Sequence, residues 1–209
     1  TSHIRGEGNS LTESVKEVLE IGERAGVPVN ISHLKVTGLK NHGWGIERAV
    51  GVLEEARGRG QDVTADAYPY PGGSTTILSL IPPTVMERAK GEAAAYLGTQ
   101  EGIRDLAQEI GKEFSSWDNM VSSIGWERIV IGSVIREEDR IYAGLDFTAA
   151  AALSGSTETE LFCRLVHENS GKIGVILMSM AQADVDRVLC LPYVSLISDA
   201  LYGGGGMPH

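Results

Sequence analysis

Short apolar runs and amphipathic helical stretches take turns along the first seventy residues, and that alternation leaves few folds open. The stretch 10–25 places Leu11, Val15, Val18 and Leu19 on one face at helical spacing. Its start, Ser10-Leu11-Thr12-Glu13, has the spacing of a capping box, in which each side chain satisfies the other's free backbone N–H. Gly26 and Pro28 stop it. Residues 27–32 read as a short buried strand with His33 at its end, followed by a Gly- and Lys-containing loop over 37–45. Residues 46–59 form a second amphipathic helix with Ala49, Val50 and Leu53 inward, ended by Gly60. Residues 62–67 are the next strand. It runs into Tyr68-Pro69-Tyr70-Pro71-Gly72-Gly73-Ser74, a composition expected to exclude regular structure. His3 and His33 are 30 residues apart, and His33 and Tyr68 are 35 apart. Each step is the size of one strand-plus-helix unit, and such units build a parallel sheet.

Residues 82–155 break the rhythm. They hold a helical segment over 84–97, a second over 101–113, a strand over 126–134 and the charged run Arg136-Glu137-Glu138-Asp139-Arg140, which reads as a solvated face. This stretch is expected to be an insertion. Beyond it come a helix over 157–169, a short apolar run over 175–178, and a helix over 179–191 with Ser179 and Gln182 in capping-box register. A last strand over 193–197 closes on Ser198-Asp199 and then Gly203 to Gly206.

Charge and cysteine content narrow the setting. The balance of 18 Lys+Arg against 28 Asp+Glu makes nucleic acid and anionic membrane surfaces poor partners. No apolar run is long enough to span a bilayer, and no charged-then-apolar leader opens the chain. Cys163 and Cys190 do not make a disulfide framework and read as small core residues in a reduced, cytoplasmic protein. The chain opens at Thr1 and stops at Met207-Pro208-His209, so a piece of a longer protein is expected.

Three ionisable groups share one structural address. His3, His33 and Asp199 each follow a β-like run and precede a loop or helix, which in parallel βα folds is the rim where active sites are built. Neighbouring parallel strands lie about 4.8 Å apart. Two imidazoles on adjacent strand ends therefore reach one cation, and imidazole with carboxylate suits zinc. Each residue could equally be a lone polar group satisfied by backbone. Glu7 and Arg5 either form a local ion pair that orients His3 or are simply solvated. His42 reads as a loop residue and His167 as a surface one. The four glycines could form an anion-binding nest or a mobile loop.

Four segments then carry a resemblance: Ser2-His3-Ile4-Arg5 with Glu7; Ile31-Ser32-His33-Leu34-Lys35; Asp66-Ala67-Tyr68-Pro69-Tyr70 with Gly73-Ser74-Thr75; and Ser198-Asp199 with its glycine-rich turn and Pro208-His209. In this order they resemble the N-acyl-D-amino-acid deacylases, or D-aminoacylases, of the amidohydrolase superfamily. The resemblance implies an α/β fold, part of a (β/α)8 TIM-type barrel over about strands five to eight, with the insertion before the last strand. It implies zinc as cofactor, in one tight site with room for a second, weaker one. His3 and His33 become ligands of the tight metal, and Asp199 the general base and a ligand of the second, weaker metal. Lys35, Tyr68, Ser74 and His209 are placed around the substrate. The expected partner is a small N-acyl-D-amino acid, cleaved to a carboxylate and a D-amino acid, together with the N-terminal half of the barrel. The family's His-x-His pair falls before Thr1 and its substrate-holding arginine beyond His209, while Ala200 replaces the glycine usual after the aspartate. An inert structural fragment and another amide-cleaving amidohydrolase are the competing readings. A phosphate-binding βα enzyme ranks last, because no basic residue lies between Asp199 and His209.

Overall fold

The computed structural model describes residues 1–200. The chain divides into two compact units, one of Thr1–Pro71 with the described residues from Ser179 onward, the other of Gly72–Met178. Six strands follow in chain order: Val29–Ile31 (β1), Val63–Ala67 (β2), Gly73–Thr76 (β3), Ile129–Ser133 (β4), Gly174–Leu177 (β5) and Val194–Leu196 (β6). The helices are Leu11–Ala25 (α1), Trp44–Gly58 (α2), Pro83–Ala89 (α3), Ala93–Leu97 (α4), Gln100–Glu109 (α5), Met120–Ile124 (α6), Phe147–Ser154 (α7), Glu158–Glu168 (α8) and Gln182–Leu189 (α9).

In the first unit β1, β2 and β6 lie side by side and parallel. Val29 faces Val63 and Ala65 faces Val194. Ser2 adds a parallel bridge to Ile31, so the segment carrying His3 lies beside β1. The expected βα alternation is present, as consecutive parallel neighbours. One face of α1 buries Leu11, Val15, Val18 and Leu19, each contributing about 1.5–3 kcal/mol by leaving water. They pack with Ile31, Ile46 and Leu53 into one core. The helix ends at Gly26, at φ 64°, a left-handed conformation that glycine adopts without a Cβ clash. Its start corrects the sequence reading. Ser10 makes no capping bond, and Ser14 Oγ instead accepts from the Gly6 N–H at 3.1 Å. The capping register of Ser179 with Gln182 also fails. The helix begins at Gln182 after an uncapped Ala181, and the Ser179 carbonyl accepts from the Gly38 N–H at 3.1 Å.

The second unit carries an antiparallel sheet in the order β3-β5-β4. Gly73 and Ser74, expected to be irregular, pair with Leu177 and Ile176. The ladder comes from a strand a hundred residues downstream, which local composition cannot reveal. The helical segment over 84–97 is broken in two by Lys90 at φ 50° and Gly91 at φ 87°. The expected helix over 157–169 forms with a complete Thr157/Glu160 capping box. Trp126 lies 5.2 Å from Phe147 and 5.7 Å from Phe162, ring centre to ring centre. Cys163 is buried in this core, as expected, but Cys190 is exposed. Among the described residues no helix is long and apolar enough to cross a membrane.

Candidate metal centre

The geometry starts from strand ends. The backbone of Ser2 bonds to both Asn30 and Ser32, donating to the Asn30 carbonyl at 2.8 Å and accepting from the Ser32 N–H at 2.9 Å. That pairing carries His3 and His33 past the end of the sheet together. Their rings meet edge to face, with centres 4.6 Å apart, and His3 Nδ1 lies 2.7 Å from His33 Nε2. The far edge of the His33 ring faces Glu7, whose Oε1 is 3.0 Å from Nδ1. Lys35 Nζ donates to the same Glu7 oxygen at 2.5 Å and to the His33 carbonyl at 3.1 Å. Nζ also lies 2.8 Å from His33 Nδ1.

One nitrogen of a neutral imidazole carries hydrogen and the other a lone pair. If Nε2 of His33 offers its lone pair, Nδ1 carries the hydrogen and donates it to Glu7. Lys35 then serves Glu7 and the backbone carbonyl. A carboxylate behind a ligating imidazole fixes its tautomer and raises its basicity. Burial raises the Glu7 carboxyl pKa, but the hydrogen bond from His33 and the charge of Lys35 outweigh it and hold the group below its usual value. Glu7, His33 and Lys35 are 17%, 12% and 13% exposed along their side chains, so these charges act through little water.

Candidate ligand atoms of His3, Glu7 and His33 all lie within 4.8 Å of one another. Imidazole nitrogens sharing one tetrahedral zinc sit about 3.3 Å apart, given bonds of about 2.0–2.1 Å. The His3–His33 pair needs only a small opening to reach that spacing, so the donor set fits a zinc-type ion.

Tyr68 is buried beside this cluster, with Lys35 Nζ 5.5 Å from its ring centre. Burial, then the negative charges of Glu7 and Asp199, push its phenol well above the usual 10. It stays neutral and able to donate a hydrogen bond. His33, Lys35, Tyr68, Met180, Asp184 and Val188 line a shallow cleft. Asp199 lies three residues past the end of β6, exposed, two residues beyond the Ile197 N–H that donates to the Ala67 carbonyl at 2.9 Å. Four described non-glycine residues have positive φ, and His33 (38°) and Asp199 (52°) are two of them. Such conformations concentrate where a fold holds side chains for function.

The structure thus gathers His3, His33, Lys35 and Tyr68. Asp199 lies outside the 4.8 Å ligand set but near enough for its charge to reach Tyr68. Ser74 belongs to the other unit, exposed on β3, and His209 is outside the described residues. Arg5 pairs with Glu17 rather than Glu7. Glu7 instead lies against His33, 3.0 Å from Nδ1. His42 Nε2 is 3.0 Å from the Ser179 carbonyl, which makes it a structural loop residue. His167, exposed, binds the Ala94 carbonyl at 2.8 Å.

The class that this fold and site resemble is the metal-dependent amidohydrolases. Within it the chain is similar to the N-acyl-D-amino-acid deacylases. No family model matches the chain. Over 79 residues it is 43% identical to an N-acyl-D-glutamate deacylase of Alcaligenes xylosoxydans xylosoxydans, a match over 37% of this chain and 16% of that protein. An N-acyl-D-aspartate deacylase of the same organism is 26% identical over 200 residues, 96% of this chain and 30% of that one. The crystal structure of N-acyl-D-glutamate deacylase from Bordetella bronchiseptica, complexed with zinc and a phosphonate mimic of the tetrahedral intermediate, is similar with a TM-score of 0.64 and 25% identity. That likeness covers 95% of this chain and 31% of that chain. The chain therefore spans less than a third of the length of these relatives.

Proposed function

We propose that this chain carries part of the active site of a zinc-dependent amidohydrolase that cleaves N-acyl-D-amino acids to a carboxylate and a D-amino acid. The facing of His3 Nδ1 and His33 Nε2 at the ends of adjacent parallel strands is the observation that most supports it. In this reading the parallel segments are strands five to eight of a (β/α)8 barrel, and residues 82–155 are inserted before the last. His3 and His33 hold the tight metal, and Asp199 is a ligand for a second, weaker one. When bound, zinc polarises the amide carbonyl and lowers the pKa of a water to about 7. The Asp199 carboxylate accepts a proton from the attacking water and returns it to the departing nitrogen. The neutral Tyr68 phenol donates a hydrogen bond into the cleft, and Lys35 offers positive charge to the acyl-amino acid.

Two measurements on the full-length protein test this reading. Metal analysis after dialysis should find most tightly held zinc gone from both His3→Ala and His33→Ala, and stoichiometric zinc in both variants overturns the ligand assignment. Asp199→Asn should lower kcat on an N-acyl-D-amino acid by about 10²–10⁴ while keeping the tight zinc. A near-parental kcat removes Asp199 as the base.

A further inference from the structure

His33 is held by its backbone as well as by its ring. Its φ of 38° lies in the left-handed region, which L-residues enter only against a clash between Cβ and the carbonyl. Something must hold it there. Asp66, one residue before the end of β2, is placed to do so. Its Oδ1 accepts from the His33 N–H at 2.6 Å, and its own carbonyl accepts from the next N–H, that of Leu34, at 2.8 Å. Two successive amides of the turn beyond β1 are therefore tied to one residue of the neighbouring strand.

The Asp66 carboxylate is itself fixed. Its Oδ2 accepts from Asn30 Nδ2 at 2.7 Å, and Asn30 Oδ1 accepts from Thr64 Oγ1 at 2.8 Å. Asn30 and Thr64 are register partners, and Thr64 and Asp66, two apart, share one face of the strand. A polar ladder across β1 and β2 thus sets where the carboxylate stands, and the carboxylate sets the backbone from which the imidazole projects.

We infer that Asp66 is a positioning residue for the metal site, aiming His33 Nε2 at His3 by clamping the His33 backbone in its left-handed turn. The inference rests on the metal reading above. Because Asp66 touches only the backbone of His33, its effect is one of position rather than of charge, and the two have opposite signatures. Asn keeps an oxygen for the His33 N–H without the charge, and its NH2 is met by the Asn30 oxygen once that amide turns over. Glu keeps the charge and shifts the oxygens by one methylene.

Zinc affinity, measured by competition with a chromogenic chelator on the full-length protein, tests it. Asp66→Ala should weaken binding about 10–100-fold, the range typical of losing an outer partner of a ligand. Asp66→Asn should bind close to the parent and Asp66→Glu clearly weaker. The opposite ranking, with Glu near the parent and Asn weak, overturns the positional role. Equal affinity across the series, with only the melting temperature moving, reduces Asp66 to a structural residue and also overturns it. If Asp66→Ala does not fold, the Asn and Glu ranking still decides. His33→Ala separates the two levels. If it keeps full zinc, the metal reading and the role of Asp66 fall together. If it loses zinc while Asp66→Ala and Asp66→Glu bind as the parent does, only the role of Asp66 fails.

Discussion

Each of the two units holds a knot of charged and polar side chains, and the knots are finished differently. In the second unit Asp139, 2% exposed along its side chain, takes Arg164 on Oδ1 at 3.1 Å and Asn169 on Oδ2 at 2.8 Å. The Asn169 oxygen in turn accepts from the N–H groups of Ile135 and Arg136, both at 3.0 Å, and Arg136 also pairs with Glu168. These partners are protein, and the knot ties a loop to α8. In the first unit Glu7 faces the inner edge of His33 and is itself held by Lys35, and the outer edge meets another imidazole. The two ring nitrogens stand 2.7 Å apart there, and a cation between them would take a lone pair from each. Similar residue types make a staple in one place and, in the function proposed above, a metal site in the other. The difference lies in which atom faces which.

That contrast can be broken or sharpened by substitution. Asp139→Ala should act on stability alone. Breaking a buried pair costs about 3–5 kcal/mol, and because Arg164 reaches solvent about 2–3 kcal/mol is expected. Denaturant unfolding with metal analysis checks this, and lost zinc would erase the distinction between the knots. Glu7→Gln should do the reverse, weakening zinc binding about 10–100-fold by losing the charged acceptor behind His33, with a smaller change in unfolding. Thr157→Ala removes the capping box of α8 and should cost about 1 kcal/mol, visible in thermal unfolding with zinc binding unchanged. The smallest effect is in acid. Glu7 has a folded pKa below the usual 4.5, so its contribution to stability is complete above that value and drains away as pH falls through the lower folded value. The apo protein should lose stability below about pH 4.5 more steeply than Glu7→Gln does, and identical acid limbs would mean that Glu7 is not held ionised by His33 and Lys35.

Periodicity and position explain what could be read in advance. The 30-residue step from His3 to His33 placed two imidazoles on neighbouring strand ends, and the bridge from Ser2 to Ile31 puts them there. Helix faces were legible because Leu11, Val15, Val18 and Leu19 recur at the helical period. The same logic misled at Ser10, whose spacing suits a box that its backbone, at ψ 12°, does not offer. It misled again at 136–140, where Asp139 turns inward from a run of charges.

By itself, then, the chain determined the local facts that repeat within a few residues: which stretches are helical, where glycine stops them, and that two histidines lie one βα unit apart. Tertiary structure decided the pairings. It set β3 against a strand a hundred residues away, sent Arg5 to Glu17, gave Glu7 to His33, and put Asp66 beneath the His33 turn. A hydrogen bond extends only about 3 Å, so its partner is fixed by which strands become neighbours, and neighbours are chosen by burial of the whole sheet rather than by any short stretch of residues.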